Sequence, residues 1–377
     1  MLGKPKVFFA SNVFTANEIG DNKSINQDIR GSIKKLWSLL EKIADIEIYD
    51  GRFPDKNEIE KYVNQCNPII LGCHLSHFIS AKLLEKSNLI AICTATAGYN
   101  HIEQPEKSKV LITHTPGVLY EAVADYTIAL IMSSLRNVID LHNSVWNGNW
   151  NPSEQWDIDQ KLSKILKNQV VGIVGLGEIG SEVAKKLHNF DLRVLYYDIQ
   201  RRKQLEHILP HLEYVSNLRN LFIEADIISL HIPLNRKTEN LIDGELLKIM
   251  KQSSLLVNTA RGKILNINHF LDLLERKEIS VNFAFDVYPE EPINKETLKR
   301  IKAIKKSQPD LRMILMPHNA SADANTRGKM VIMLLEDIIK LLQSKSIQDL
   351  EDVHIIPEQR IKLQEVNWRI KEYWKQQ

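Results

Sequence analysis

Cysteine is scarce: the 377-residue chain has three, Cys66, Cys73 and Cys93. Their number is odd, their spacing is wide and none forms a C-x-x-C pair, so neither a disulfide framework nor a metal knuckle is expected. Each lies in or beside an apolar stretch, which reads as a buried free thiol of a reducing, cytoplasmic compartment. No apolar run approaches the ~18 residues of a spanning helix, so no membrane partner is expected. The short run around Val7–Ala10 does not make a secretory segment. An excess of one charge is also missing: 49 Lys and Arg stand against 47 Asp and Glu, a net of +2. That balance removes the general reason to expect nucleic acid or an acidic surface as a partner. There is no low-complexity tract and no short-period repeat. What is present is the ordinary globular mix, 44% hydrophobic and 25% charged. At about 150 residues per domain, one or two full domains plus extras are expected.

Short apolar runs alternate with amphipathic segments along most of the chain. Lys6 to Ala10, Ile46 to Tyr49, Ile69 to Leu71, Leu89 to Cys93 and Val110 to Thr113 read as a first series of strands. Val170 to Val174, Arg193 to Tyr197, Ala225 to Leu230, Leu255 to Asn258, Val281 to Phe285 and Met313 to Leu315 read as a second. Strands that alternate with helices imply parallel sheets built from right-handed crossovers. Their lack of clean period-two alternation implies sheets covered on both faces. A long helical pattern from Glu121 to about Val145 and a polar stretch from Trp146 to Asp159 separate the two series. Ala324 to Leu342 reads as a helix that returns to the first domain and makes it discontinuous. Leu363, Val366, Ile370 and Trp374 fall at helical spacing in the tail, which reads either as a helix packed on its own subunit or as a subunit contact.

Val171 to Gly180 contains strand, then Gly175-Leu-Gly177-Glu178-Ile179-Gly180, then helix. In this G-x-G-x-x-G turn the first glycine permits the tight bend and the second lets a pyrophosphate approach the backbone. The third lets the helix pack on the strand. The helix N-terminus offers N–H groups and partial positive charge to the phosphates. Asp198 ends the next strand, placed to accept from ribose hydroxyls and to repel a 2′-phosphate, so NAD is favoured over NADP. Arg201 and Arg202 follow and would soften that preference.

Three features follow successive strands of the second series: Arg261 after Asn258-Thr259-Ala260, the acids Asp286, Glu290 and Glu291 after Phe285, and His318 after Met316-Pro317. Ligands of open α/β sheets bind outside the carboxyl ends of the strands, so all three point to one region beside the glycine turn. Their types match the reduction of a 2-oxo acid. A guanidinium holds the carboxylate and polarises the carbonyl. An imidazole supplies the proton, and a neighbouring carboxylate fixes its ring and favours its charged form. His74 and His77, past Ile69 to Leu71, are candidates to line a substrate pocket; His101, His114 and His231 also lie at strand ends or loops.

The motifs, in order, are Thr96-Ala-Gly-Tyr-Asn100, Thr115-Pro-Gly-Val118 with Glu121-Ala-Val-Ala-Asp125, the glycine turn, His231-Ile-Pro-Leu234 with Thr238, Asn258-Thr-Ala-Arg-Gly262, Asp286-Val-Tyr with Glu291-Pro292, and Pro317-His318. Together they resemble the D-2-hydroxyacid dehydrogenase family, which includes glyoxylate/hydroxypyruvate reductases and phosphoglycerate dehydrogenases, over roughly residues 5 to 345. The resemblance implies two Rossmann-like, doubly wound parallel-sheet domains with a cleft between them. Residues 1–115 and 319–350 would form the substrate domain and 116–318 the NAD-binding domain, with 351–377 a helical extension. It implies Arg261, Glu291 and His318 as the catalytic set. Gly175, Gly177, Glu178, Ile179, Gly180, Asp198, His231, Pro233, Thr238, Thr259, Ala260 and Asp286 would hold NAD, with Asp286 on the nicotinamide carboxamide. Ala97 and Gly98 would offer N–H groups to the substrate carboxylate, with His74 nearby; no metal is implied. It implies hydride transfer between NAD and a small 2-oxo or 2-hydroxy acid, and a homodimer formed through the cofactor domain.

The chain departs from the family in places. Lys167-Asn168-Gln169 replaces the common Gly-Lys before the cofactor strand, and the stretch from Ile293 to Met313 is longer and more basic. His74 stands where phosphoglycerate-type members tend to carry arginine. Glutamate at position 291 is unlike formate-type members, which carry glutamine. An NAD-sensing scaffold or corepressor-like binding protein of the same fold remains an open alternative, because such relatives can keep the catalytic set.

Overall fold

The computed structural model describes residues 3–103, 108–152 and 157–376; part of the expected polar connector, 153–156, lies outside them. The chain divides into two compact units, residues 1–119 with 322–377, and residues 120–321.

The first unit is a five-stranded parallel sheet of β1 (Lys6–Phe9), β2 (Asp45–Ile48), β3 (Ile70–Cys73), β4 (Ala91–Thr94) and β5 (Leu111–Thr113), in the order β2-β1-β3-β4-β5. Every residue of β3 and β4 is buried, because helices cover both faces. Ile33, Trp37 and Leu40 of the helix Gln27–Ile43 pack on one face with Met330, Leu334 and Ile338 of the helix Ala324–Gln343. Ile59, Val63, Leu83 and Leu84 cover the other. The two helices of the first face approach closely because Gly328 has no side chain; a Cβ there would stand 2.6 Å from Ile29 Cγ2. The strand order reverses between β1 and β3, so the switch point of this sheet lies where Ser11 and His74 emerge.

The expected helical extension is only partly helical: Pro357–Arg360 and Ile370–Trp374 are helices, joined by turns. Leu363, Trp368 and Ile370 are buried in the core of the first unit. The apolar spacing therefore serves packing on the chain itself. The same segment covers the sheet edge. Ile355 pairs antiparallel with Thr113, and the buried Gln359 side chain accepts from Ile112 N (2.8 Å) and donates to Val110 O (2.9 Å).

The second unit is a seven-stranded parallel sheet: β6 (Val170–Val174), β7 (Arg193–Tyr197), β8 (Leu212–Tyr214), β9 (Ile227–Leu230), β10 (Leu255–Asn258), β11 (Asn282–Phe285) and β12 (Met313–Leu315). Its order is β12-β11-β10-β9-β6-β7-β8. The chain winds outward from β6 to β8, then returns to β9 on the other side of β6. That reversal opens a crevice at the carboxyl end of β6. The sequence does not announce β8: it is a three-residue edge strand, Leu-Glu-Tyr, of which only Leu212 is buried.

The long helix expected from Glu121 to Val145 is two. Tyr120–Leu135 ends before Asn137, whose left-handed backbone (φ 53°, ψ 35°) turns the chain by 65° into Val138–Trp146. Asparagine tolerates that conformation at small cost. The first helix is buried along much of its length and the second buries no residue. Among the described residues no single helix is long and apolar enough to cross a membrane.

Candidate active site

The crevice at β6 is built from the glycine turn. Gly175 adopts φ +95°, and a Cβ there would stand 2.7 Å from His231 O. A Cβ on Gly180 would meet Gly175 O at 2.0 Å, so this glycine lets the helix Glu178–Leu187 start against the strand. Gly177 differs: a Cβ there meets no protein atom within 4 Å. No packing demand explains that glycine, whereas a phosphate approaching the helix N-terminus does. Asp198, past β7, accepts from Leu176 N through Oδ2 (2.7 Å) and from Gln200 N through Oδ1 (3.0 Å), which aims its carboxylate at the turn. Arg201 is paired with Glu206 (Nη2–Oε2 2.7 Å, Nε–Oε1 2.9 Å), so its charge is already engaged.

His231 begins the loop after β9. Its N–H donates to Val174 O (2.7 Å) and its Nε2 lies 2.8 Å from Ser229 Oγ. Burial pushes its pKa down to about 3, so the ring is neutral, and its buried Nδ1 has no hydrogen-bond partner among the described residues. Thr238 closes the following turn, its hydroxyl donating to Pro233 O (2.6 Å) and accepting from Asn235 N (2.8 Å).

Arg261 follows β10. Asn258 shapes its turn, accepting from Ala260 N (3.0 Å) and donating to Arg261 O (3.0 Å). The Thr259 hydroxyl lies 2.9 Å from that of Thr127. Gly262 is required by packing: a Cβ would stand 1.9 Å from the Tyr288 carbonyl carbon. This close approach sets the arginine turn directly against the loop that carries Glu291. The Arg261 guanidinium is desolvated, which lowers its pKa, and the Glu291 charge opposes that fall.

Glu291 accepts from Tyr288 N through Oε1 (3.0 Å) and from His318 Nδ1 through Oε2 (2.6 Å). Burial alone raises its pKa, but the His318 hydrogen bond and charge, the Tyr288 N–H and the Arg261 charge outweigh it and leave the carboxyl below its ordinary value. The bond orients the ring so that Nε2 is the nitrogen left to exchange a proton with a ligand. His318 itself sits in the left-handed region (φ 56°), uncommon for a residue with a side chain. Asp286 holds it there. This wholly buried carboxylate accepts from Asn319 N (2.7 Å) and Ala320 N (2.8 Å), while its carbonyl accepts from His318 N (2.8 Å). Burial raises the Asp286 pKa, and the two N–H groups oppose the rise. These contacts make Asp286 the anchor of the histidine loop, a role the sequence does not show. Asn258 and Gly262 of the Asn-Thr-Ala-Arg-Gly run and Tyr288 of the Asp-Val-Tyr run likewise shape the site without a role assigned from sequence.

In the first unit, His74 follows β3 at the switch point. Its ring stacks on His77 (3.7 Å between centroids) and tilts against Phe14 (5.8 Å) and Phe53 (6.2 Å). Burial, then the neighbouring His77, push its pKa down to about 3, so it is neutral. Ala97 and Gly98 lie in the loop after β4. Among the described residues their N–H groups donate to nothing. Two consecutive donors at the carboxyl edge of a sheet suit an anion. No group of three or more His, Cys, Asp or Glu suited to a metal occurs among the described residues. Cys73 and Cys93 are buried and Cys66 is partly so, all three free.

Residues 128–320 match the family model described as D-isomer specific 2-hydroxyacid dehydrogenase, NAD binding domain. The chain is 31% identical over 337 residues to a glyoxylate reductase of Thermofilum pendens, covering 85% of this chain and 95% of that protein. It is 33% identical over 312 residues to a glyoxylate reductase of Aeropyrum pernix, covering 81% and 89%. Among solved structures, a Thermus thermophilus protein superposes with a TM-score of 0.73 at 27% identity, covering 90% of this chain and 97% of that one. A glyoxylate reductase from Paecilomyes thermophila shares the fold, with a TM-score of 0.74 at 21% identity, covering 95% and 100%.

Proposed function

The chain belongs to the D-isomer specific 2-hydroxyacid dehydrogenase family, and from that premise we propose that it reduces a small, unphosphorylated 2-oxo acid to the D-2-hydroxy acid at the expense of NADH. Glyoxylate and hydroxypyruvate are the first substrates to test; the two relatives named above are glyoxylate reductases. The single observation that carries the reading is the 2.6 Å hydrogen bond between His318 Nδ1 and Glu291 Oε2 in the same unit as Arg261, whose turn packs against the loop that carries Glu291.

NAD fits the residues present. Gly177 leaves open space where a pyrophosphate would lie, Asp198 is aimed at the turn, and the neutral His231 keeps a buried nitrogen without a partner among the described residues. Glu178, Ile179, Pro233, Thr238, Thr259, Ala260 and Asp286 complete the proposed binding surface. When bound, NADH supplies the hydride. The Asp198 carboxylate repels a 2′-phosphate, and Arg201 is committed to Glu206 instead of offsetting it, so NADH is preferred to NADPH.

Arg261 draws electron density from the substrate carbonyl, and the N–H groups of Ala97 and Gly98 take the carboxylate. His318 delivers the proton from Nε2 to the developing alkoxide, and Glu291, ionised at neutral pH, stabilises the imidazolium before transfer. His74 is the proposed lining for the substrate side chain; a neutral ring among aromatic rings favours an uncharged or small substituent over a phosphate. A homodimer through the cofactor unit is supported by the exposed apolar side chains Val145, Trp146, Trp150, Ile158, Leu162 and Ile165. Three free cysteines support a reducing, cytoplasmic location. Oxidation of NADH, and in parallel NADPH, in the presence of a panel of 2-oxo acids tests the assignment. Turnover with small 2-oxo acids supports it, and no turnover with any of them overturns it.

A further inference from the structure

The loop that carries Ala97 and Gly98 is held by the C-terminal segment. The Tyr99 hydroxyl donates to Glu358 Oε2 at 2.6 Å, across 259 residues of sequence. The Tyr99 ring stands edge-on to His114 (5.6 Å, 88°). His114 Nδ1 donates to Ala97 O at 2.8 Å, and its backbone N–H donates to His354 O at 3.0 Å. His354 is pinned in turn: its N–H and Nδ1 both donate to Oδ1 of the wholly buried Asp337, at 3.2 and 2.9 Å. The residues between are fixed to the sheet edge by Ile355, Ile356 and Gln359. Two routes therefore run from the tail to the two peptide units around Gly98. One grips the carbonyl of Ala97 and the other grips the side chain that follows Gly98. The two unengaged donors lie between these grips in a loop that contains glycine, so their orientation is sensitive to both.

We propose that Tyr99, Glu358 and His114 are positioning residues for the substrate carboxylate, and that the C-terminal segment around 354–358 is a working part of the substrate site. The proposal rests on the reading that the Ala97 and Gly98 N–H groups bind that carboxylate. Cutting one grip lets the donors wander, which weakens ground-state binding of the 2-oxo acid and leaves the proton donor and the cofactor site of the other unit untouched.

The test uses the full chain and the variants Tyr99→Phe, Glu358→Ala, Glu358→Gln and the double variant Tyr99→Phe/Glu358→Ala. Steady-state NADH oxidation with glyoxylate gives KM and kcat, protein fluorescence gives the NADH Kd, and hydrogen–deuterium exchange follows the peptide spanning 95–103. Tyr99→Phe and Glu358→Ala raise KM about three- to tenfold, the loss expected for one hydrogen bond to a charged group. Both change kcat and the NADH Kd by less than a factor of about two, within the scatter of near-neutral contacts. Glu358→Gln, whose amide oxygen still accepts from Tyr99, restores most of the loss, and the double variant is no worse than either single one. The peptide 95–103 exchanges faster wherever KM rises. Unchanged KM, or a fall in thermal stability with no KM–kcat split, overturns the proposal while the oxidoreductase reading stands. If the wild-type chain turns over no 2-oxo acid, that reading fails. Exchange then decides the positioning claim alone: faster exchange in Tyr99→Phe upholds it and unchanged exchange ends it.

Discussion

His318 Nδ1 and Glu291 Oε2 lie 2.6 Å apart although 27 residues separate them in the chain. The histidine is the third residue beyond β12 and the glutamate leaves the loop after neighbouring β11, so the pairing is a consequence of parallel strand order. The intervening helix Lys295–Ser307 packs through Ile301 and Ile304 into the core and returns the chain to the same sheet edge. The basic insertion that set these residues apart in sequence is absorbed by that helix.

Arg261 is placed to polarise the reacting carbonyl. Arg261→Ala is expected to lower kcat/KM for the 2-oxo acid about 100- to 1,000-fold, the usual cost of one electrophilic donor. The NADH Kd, read by fluorescence titration, stays within about twofold of wild type, because the cofactor interactions proposed above lie elsewhere.

Glu291 is held below the ordinary carboxylate value, so it is charged throughout the neutral range. A group with a depressed folded pKa contributes above its unfolded value and loses its contribution as pH falls through the folded one. Glu291→Gln removes that charge at every pH. The reduction rate at pH 7 should fall about 100-fold, within the range for general acid–base catalysis, and the variant should lack the loss of activity that wild type shows as pH falls into the carboxylate range. A pH–rate profile of both proteins checks this.

The glycines of the turn divide into a packing role and a ligand role. Gly180→Ala forces a Cβ against Gly175 O and should destabilise the chain by about 1–3 kcal/mol, the range for overpacking. Gly177→Ala meets no protein atom, so its melting temperature should match wild type while its NADH affinity falls. Thermal melts and NADH titrations of the two variants separate these roles.

Much of this site was legible in sequence because its residues follow strands whose apolar runs are unmistakable. The glycine turn, Asp198, Arg261, Glu291 and His318 all sit one to six residues past a buried strand. What was hidden depends on contacts that no local pattern encodes. Asp286 is expected as a cofactor residue, and its further part in anchoring Asn319 and Ala320 arises only through the pairing of β11 and β12. The break at Asn137 was invisible because apolar residues continue on both sides of it. The tail's periodicity was real, but Trp368 and Ile370 bury it against the first unit in short turns. Arg201, one of the two arginines expected to soften the cofactor preference, pairs with Glu206, five residues on, a contact the local pattern does not announce.

His354 carries a further pH signature. Its hydrogen bond to Asp337 raises its pKa; burial and Lys340 oppose the rise and Glu336 supports it. A raised folded value means that the charged pair stabilises fully below the ordinary histidine value of about 6.5 and fades as pH rises through the folded value. His354→Ala should therefore lower the melting temperature most below pH 6.5, with the gap to wild type narrowing toward pH 9. Part of the gap persists, because a neutral Nδ1–H still donates to the buried carboxylate.

The central claim is that a guanidinium and an imidazole act on one oxygen atom. The most direct measurement is a crystal structure of the ternary complex with NAD and oxamate, an unreactive 2-oxo acid analogue. The account predicts that the Arg261 guanidinium and His318 Nε2 both lie within hydrogen-bond distance of the oxamate amide oxygen. Oxamate seated elsewhere, or bound with His318 turned away from it, contradicts the account.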